Sequence, residues 1–189
     1  MEKLRRETAD FFQKLYVGEQ KILVFGEGEI PSRVALIGEA PGPQETLAGR
    51  PFVGKAGKIL DEFLQMSGIR REDVYITNTV KFRPVKQSAA GNTVNRPPSQ
   101  EEIKLCLPFL KRELVLVKPR VIVTLGNVPL KALMGRQRVI GEVHGQWLEW
   151  EGKKLYPLYH PASLIYNRAL RPAYEEDVRR LGDALRKQA

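Results

Sequence analysis

The residues with the most chemical potential begin in one stretch, "GEAPGPQETLAGRPFVGKAGK" (38–58). It combines an acidic pair, Glu39 and Glu45, with one aromatic, Phe52, and little other side-chain bulk. Glycines at this density let backbone N–H groups approach a ligand where a side chain would collide. Further along, Asn78, Asn127 and His160 add carboxamides and an imidazole. Carboxylates and imidazoles can move protons or place water. A carboxamide both donates and accepts, so it can read the polar edge of a planar ligand.

One reading of the stretch is phosphate binding, because Gly49-Arg50-Pro51-Phe52-Val53-Gly54-Lys55 fits GxxxxGK. Two features count against it. Ala56 follows the lysine, so the hydroxyl that would bind magnesium is missing, and the motif starts well past the strand that should lead into it. Pro51 removes a donor and Phe52 crowds the phosphates. GxGxxG is absent, which weakens a dinucleotide site further.

The elements that position these residues follow from the pattern of apolar runs. "RVALIG" (33–38), "VYITNTV" (74–80), "RVIVTLG" (120–126) and "KLYPLYH" (154–160) are short, rich in β-branched and aromatic residues, and apolar on both faces. Such runs are produced by a sheet covered with helices on both sides. Between them, 55–67 reads as a helix ended by Gly68, and 99–117 as a helix opened by the capping box Ser99/Glu102, with Pro108 kinking or interrupting it. Residues 127–134 and 173–187 read as further helices, 2–16 as an N-terminal helix, 21–26 as a strand, and 145–158 as a hairpin. The prediction is one α/β domain over residues 1–189, a three-layer α/β/α sandwich. Ligands should bind beyond the carboxyl ends of its strands. Gly38–Gly42, Asn78, Gly126–Asn127 and His160 all fall at those ends. Singly, Asn78 could cap a turn and His160 could be a core histidine; their joint placement favours a pocket.

Composition narrows the partners. With 189 residues and 42% apolar content, the chain can bury one core. Lys plus Arg total 31 against 22 Asp plus Glu, a net +9 that favours nucleic acid over a membrane surface. No apolar run approaches the ~20 residues of a membrane span, and the charged start lacks a signal peptide's hydrophobic stretch. A lone cysteine, Cys106, excludes an intramolecular disulfide, as suits a cytoplasmic protein. Two histidines, His144 and His160, make no convincing zinc site.

Taken in order, "GEAPGPQE" (38–45), "GRPFVGKAG" (49–57), "YITNTVKFRP" (75–84), "VTLGN" (123–127) and "YHPASLIYN" (159–167) resemble the signatures of the uracil-DNA glycosylase superfamily, closest to family 4. The resemblance covers the chain from about residue 20 to 185. It implies an α/β/α fold around a four-stranded parallel sheet and a monofunctional glycosylase that removes uracil from DNA and leaves an abasic site. The alternatives are a non-catalytic binder of uracil-containing DNA and an enzyme for another damaged base such as hypoxanthine. A related branch that links covalently to DNA carries a basic, histidine-containing insertion before its last motif; none is visible here.

Releasing uracil builds positive charge on the sugar and negative charge on the base. The site therefore needs a flipped base, a reader of its edge, a donor near O2 and a placed water. By the resemblance, Phe52 stacks on the base and Asn78 accepts from N3–H and donates to O4, a pattern that cytosine reverses. His160 donates to O2, either as a neutral ring or as a cation. Ala40 stands in the uracil-binding loop where the best-understood branch has a water-positioning Asp, a residue that family 4 also lacks. Water activation then falls to Glu39, the favoured carboxylate, or to Glu45 or main-chain groups. Leu164, with Ile165 second, is placed to wedge into the gap left by the base, or else buries the last helix. Asn167, Arg168 and Arg171 are placed to bind phosphates.

The chain departs from family 4 at its metal site. That family usually holds a four-iron, four-sulfur cluster on four cysteines, and the matching positions here are Phe11, Lys14, Phe82 and Cys106. The expectation is that the cluster is absent and that Phe11, Phe82 and neighbouring apolar groups replace it by packing, the two phenylalanines at roughly 1.5–3 kcal/mol each. Cys106 is expected to be semi-buried. DNA is the expected partner and the monomer the expected state.

Overall fold

A computed structural model describes residues 1–19 and 21–187. In chain order the elements are α1 (Glu2–Leu15), β1 (Val34–Gly38), α2 (Pro43–Ala48), α3 (Lys55–Met66), β2 (Val74–Asn78), β3 (Val85–Gln87), β4 (Thr93–Asn95) and α4 (Gln100–Val117). They continue with β5 (Val121–Leu125), α5 (Asn127–Met134), α6 (Ile140–Val143), β6 (Leu148–Trp150), β7 (Lys153–Leu158), α7 (Ser163–Tyr166) and α8 (Arg171–Lys187).

The apolar runs become a sheet in the order β2-β1-β5-β7-β6. The first four strands are parallel, as expected, and β6 is added antiparallel at the edge through its hairpin with β7. The sheet thus has five strands rather than four. β1, β2 and β5 are buried along their whole length because helices cover both faces. Val34, Leu36, Ile76 and Val123 pack with Leu60 and Phe63 of α3 and Tyr174, Val178 and Leu181 of α8. Their neighbours Ala35, Ile37, Tyr75 and Ile122 face Leu110 and Leu114 of α4 and Leu130 and Leu133 of α5. Alternation along each strand therefore fills two separate cores.

The chain leaves β1 toward β2 on one side and returns to β5 on the other, so the strand order reverses between β1 and β5. This is the switch point where an open parallel sheet leaves a crevice at its carboxyl edge. Register brings Gly38 beside Asn78 and Leu125 beside Leu158, which places the four strand ends together.

Two local expectations change. Segment 21–26 forms no regular strand; it runs extended along β2, making only the single bridges Leu23–Phe82 and Glu27–Ile76. Pro108 does not interrupt α4, which runs unbroken from Gln100 to Val117. Pro108 and Lys104, whose carbonyl loses its donor, are both solvent-exposed, so water can satisfy that oxygen. The Ser99/Glu102 capping box forms as expected. Among the described residues no helix is long and apolar enough to cross a membrane.

Candidate active site

The first loop is organised by Glu45. Its carboxylate accepts the backbone N–H of Gly42 at 3.1 Å, of Val53 at 3.1 Å and of Gly54 at 2.8 Å. One buried acid therefore ties the start of α2 to the start of α3. Two of those bonds occupy the Val53 and Gly54 donors that a phosphate cradle at 49–55 would use, which counts further against the nucleotide reading. Between the tied ends, Phe52 is held at φ 53°, a left-handed conformation uncommon for a bulky residue. Gly57 accommodates it: a Cβ there would lie 1.9 Å from the Phe52 carbonyl oxygen.

Gly38 is where three parts of the site meet. A Cβ on it would lie 2.4 Å from Asn78 Oδ1 and 2.5 Å from the Phe52 ring, so the absence of a side chain lets the ring and the amide close in. The strand ends are stitched together by main chain. Thr79 N and Oγ1 both donate to the Gly38 carbonyl at 2.9 Å, and Val80 N donates to the Glu39 carbonyl at 3.0 Å. Asn78 is 2% exposed, yet its Oδ1 has no hydrogen-bond partner among the described residues. A buried amide oxygen left unpaired costs about 1–3 kcal/mol unless a ligand satisfies it.

His160 enters from the end of β7, its ring centroid 5.9 Å from that of Phe52 and the planes 31° apart. Gly126 makes room, since a Cβ there would meet the His160 Cβ at 3.0 Å. Nδ1 of His160 accepts the Ala162 N–H at 3.1 Å, which assigns the ring proton to Nε2. Burial pushes the imidazole pKa down to about 4, against a smaller upward pull from Glu45. The ring is thus a neutral donor, and the choice left open by the sequence falls on the neutral form. Glu39 is perturbed the other way, its carboxyl pKa raised by burial.

Glu39, Ala40, Glu45, Phe52, Asn78 and His160 all line one pocket of about 430 Å³. That volume lies within the range of small-molecule sites, ~300–1,000 Å³. Its rim adds Lys55, Asn95, Arg96, Ile165 and Tyr166.

Other expected residues fall elsewhere. Leu164 is 6% exposed and packs in the core with Tyr174 and Val178, so it buries the last helix rather than facing DNA. Ile165 and Tyr166, 43% and 88% exposed, occupy the lip instead. Asn167 caps the next turn through Ala169 N. Arg171 is tied to Glu62 and Glu175 and lies over Phe63, which clamps α8 to α3. Arg168 is exposed and makes no ion pair among the described residues. Asn127 does not face the pocket; its Oδ1 accepts the N–H of Ile140 and holds the turn before α6.

The residues at the cluster positions do not fit a four-thiolate group. Cys106 is fully buried rather than semi-buried, its thiol pushed up to about 11 by desolvation. Among the described residues no three His, Cys, Asp or Glu side chains gather to hold a metal. Phe82 is buried as expected, but its partner is Phe12, at 5.4 Å between ring centroids, not Phe11. Phe11 is 38% exposed and Lys14 is on the surface. The helical repeat explains the shift: Leu4, Thr8 and Phe12 form the inward stripe of α1, one residue out of phase with Phe11. Tyr16 closes the cluster edge-on to Phe82.

Sequence reading missed the ion pair Lys81–Glu113, the bidentate Arg96–Glu102 pair that fixes the rim, and Tyr166. A lysine just past a strand-like run and a glutamate on a predicted helix give no sign of their mutual burial.

A parallel sheet covered on both faces, with a pocket at its switch point, defines an α/β class whose ligand sites lie at the carboxyl edge of the strands. The chain belongs to the uracil DNA glycosylase superfamily, whose sequence profile matches residues 25–181. It is 39% identical over 175 residues to a type-4 uracil-DNA glycosylase of Saccharolobus solfataricus, covering 88% of this chain and 77% of that one. It is 41% identical over 170 residues to the type-4 enzyme of Thermotoga maritima, covering 88% and 84%. The crystal structure of Pedobacter heparinus SMUG2 superposes with a TM-score of 0.59 at 14% identity, over 96% of this chain and 82% of that one, and shares the fold.

Proposed function

We propose that this chain hydrolyses the N-glycosidic bond of uracil in DNA and leaves an abasic site without cutting the strand. One observation carries the reading: a buried Asn78 amide with an unpaired oxygen, beside an aromatic ring and a neutral imidazole donor, in one pocket. Uracil N3–H supplies the donor that Asn78 Oδ1 lacks, and Asn78 Nδ2 donates to O4. Cytosine presents the reverse pattern and leaves both amide groups unsatisfied. Phe52 covers the flipped ring, and the Nε2–H of His160 stabilises the charge that grows on O2 as the bond breaks.

Water falls to Glu39. The carboxylate of Glu45 is occupied by three main-chain donors, so that residue positions the loop. The carboxyl of Glu39 accepts no hydrogen bond among the described residues and lines the pocket, where it can hold a water against the sugar. Ile165 and Tyr166 replace Leu164 as the apolar pieces that fill the gap in the stack, and Arg168 with Lys55 supplies phosphate contacts. The cluster of aromatic rings around Phe12 and Phe82 takes the structural place of a metal group, and the protein works without iron. One site reads one base and needs no symmetry, so the monomer is the proposed state.

An oligonucleotide assay tests this, with uracil opposite guanine, uracil opposite adenine, single-stranded uracil and hypoxanthine, in the absence of magnesium. Free uracil and an alkali-labile abasic product are expected, with release reduced by roughly a hundredfold or more in Asn78→Ala and His160→Ala. Salt-sensitive DNA binding without base release would establish a binder instead, and release of hypoxanthine alone a different lesion. Less than stoichiometric iron and sulfide in purified protein is expected; a full complement overturns the metal-free reading.

A further inference from the structure

Behind Asn78, on the opposite face of β2, lies a buried charged network that the chemistry above does not use. Lys81 is 2% exposed and Glu113, on α4, is 3% exposed. The Lys81 ammonium donates to the Asn78 carbonyl at 2.8 Å, to Thr77 Oγ1 at 2.7 Å and to Glu113 Oε2. Glu113 also accepts from Tyr75 Oη at 2.7 Å and from Thr77 Oγ1 at 3.1 Å. Alternation along β2 sends Tyr75 and Thr77 toward α4, while Asn78 turns its amide into the pocket. Asn78 is the last residue of the strand, so the carbonyl the ammonium holds lies where the ladder ends.

Charges are rarely buried for stability alone, because desolvation offsets most of their attraction. Here all three ammonium bonds end on the strand terminus or on the residue that braces it. The Asn78 side chain, by contrast, is held by no bond of its own through Oδ1. Its direction comes from its backbone and from close packing beside Gly38 and Phe52. We propose that Lys81 and Glu113 are positioning residues: they fix the main chain of Asn78 so that its unpaired amide waits in the orientation that reads a pyrimidine edge. Preorganisation of this kind acts on recognition, since a loosely held amide can rotate and accept the wrong base.

The inference rests on the proposed uracil site, and its test separates the two. The variants are Lys81→Met, the paired Lys81→Met/Glu113→Gln, which leaves no unpaired charge behind, and Asn78→Ala as reference. Thermal melting establishes that each is folded; the paired variant serves where Lys81→Met is not. The first readout is the Asn78 side-chain amide in a nitrogen–proton spectrum, assigned by its loss in Asn78→Ala. The expected result is one sharp pair of signals in the parent chain, shifted or broadened in the folded variant. The second readout is base release: kcat/KM for uracil should fall at least tenfold, with affinity for uracil-free DNA unchanged within twofold. An unchanged amide spectrum overturns the inference, whether or not the parent chain is active. So does unchanged kcat/KM in an active parent. A parent chain that releases no uracil, with the spectral change still present, defeats the uracil site and leaves the positioning role standing.

Discussion

Glu45 Oε1 accepts the backbone N–H of Gly54 at 2.8 Å, across nine residues of loop, while Oε2 of the same carboxylate holds Gly42. This acid sets the shape of the loop that presents Phe52. Glu45→Ala strands three partly buried N–H groups, and the loss should be about 3 kcal/mol. Denaturant melts measure that loss, and KM for a uracil oligonucleotide should rise with it. Glu45→Gln, which keeps one acceptor oxygen, should fall between.

Asn78→Ala separates activity from stability. Because the amide oxygen has no partner in the resting protein, its removal relieves a buried unpaired group rather than breaking a bond. Unfolding free energy should stay within about 1 kcal/mol of the parent. Base release should drop by roughly 10²–10³, the usual loss for one essential donor at a developing charge.

His160 should not titrate in the ordinary histidine range. With its pKa near 4, the ring is neutral at pH 5 to 8, so kcat/KM should show no limb near 6.5 from this residue. The unfolded chain binds that proton first as pH falls, so His160 contributes stability that is full above about 6.5 and is lost toward 4. His160→Asn should flatten that part of the stability profile, as pH-dependent melts would show.

Glu39 behaves with the opposite sign. Burial raises its carboxyl pKa, so the folded chain holds the proton longer, and ionising it at neutral pH costs stability. Glu39→Gln should therefore raise the melting temperature at pH 7 but not at pH 4, while base release falls. Equal melting shifts at both pH values would contradict the burial of this group.

The aromatic cluster gives a packing test. Phe12→Ala opens a hole beside Phe82 and Cys106 and should cost about 3–5 kcal/mol. Phe11→Ala removes a ring that is 38% exposed and should cost about 1 kcal/mol or less. Paired denaturant titrations distinguish the two.

Much of this protein was legible in its residues. Uninterrupted apolar runs demand cover on both faces, so "RVALIG", "VYITNTV" and "RVIVTLG" announced buried parallel strands, and Ser99 with Glu102 announced a helix start. Strand polarity alone sends Glu39, Asn78 and His160 to one edge, whereas Phe52, in the loop before α3, was singled out by the resemblance to the glycosylase motifs. Tertiary packing decided what periodicity cannot resolve. A one-residue phase difference on α1 chose Phe12 over Phe11, and the depth of a single helical turn put Leu164 in the core and Tyr166 on the lip. It also decided that Glu45 holds a loop and that Lys81 meets Glu113 behind Asn78. Local patterns report which way a side chain leaves its own element. Whether a charge finds its partner depends on what other elements bring to the same place.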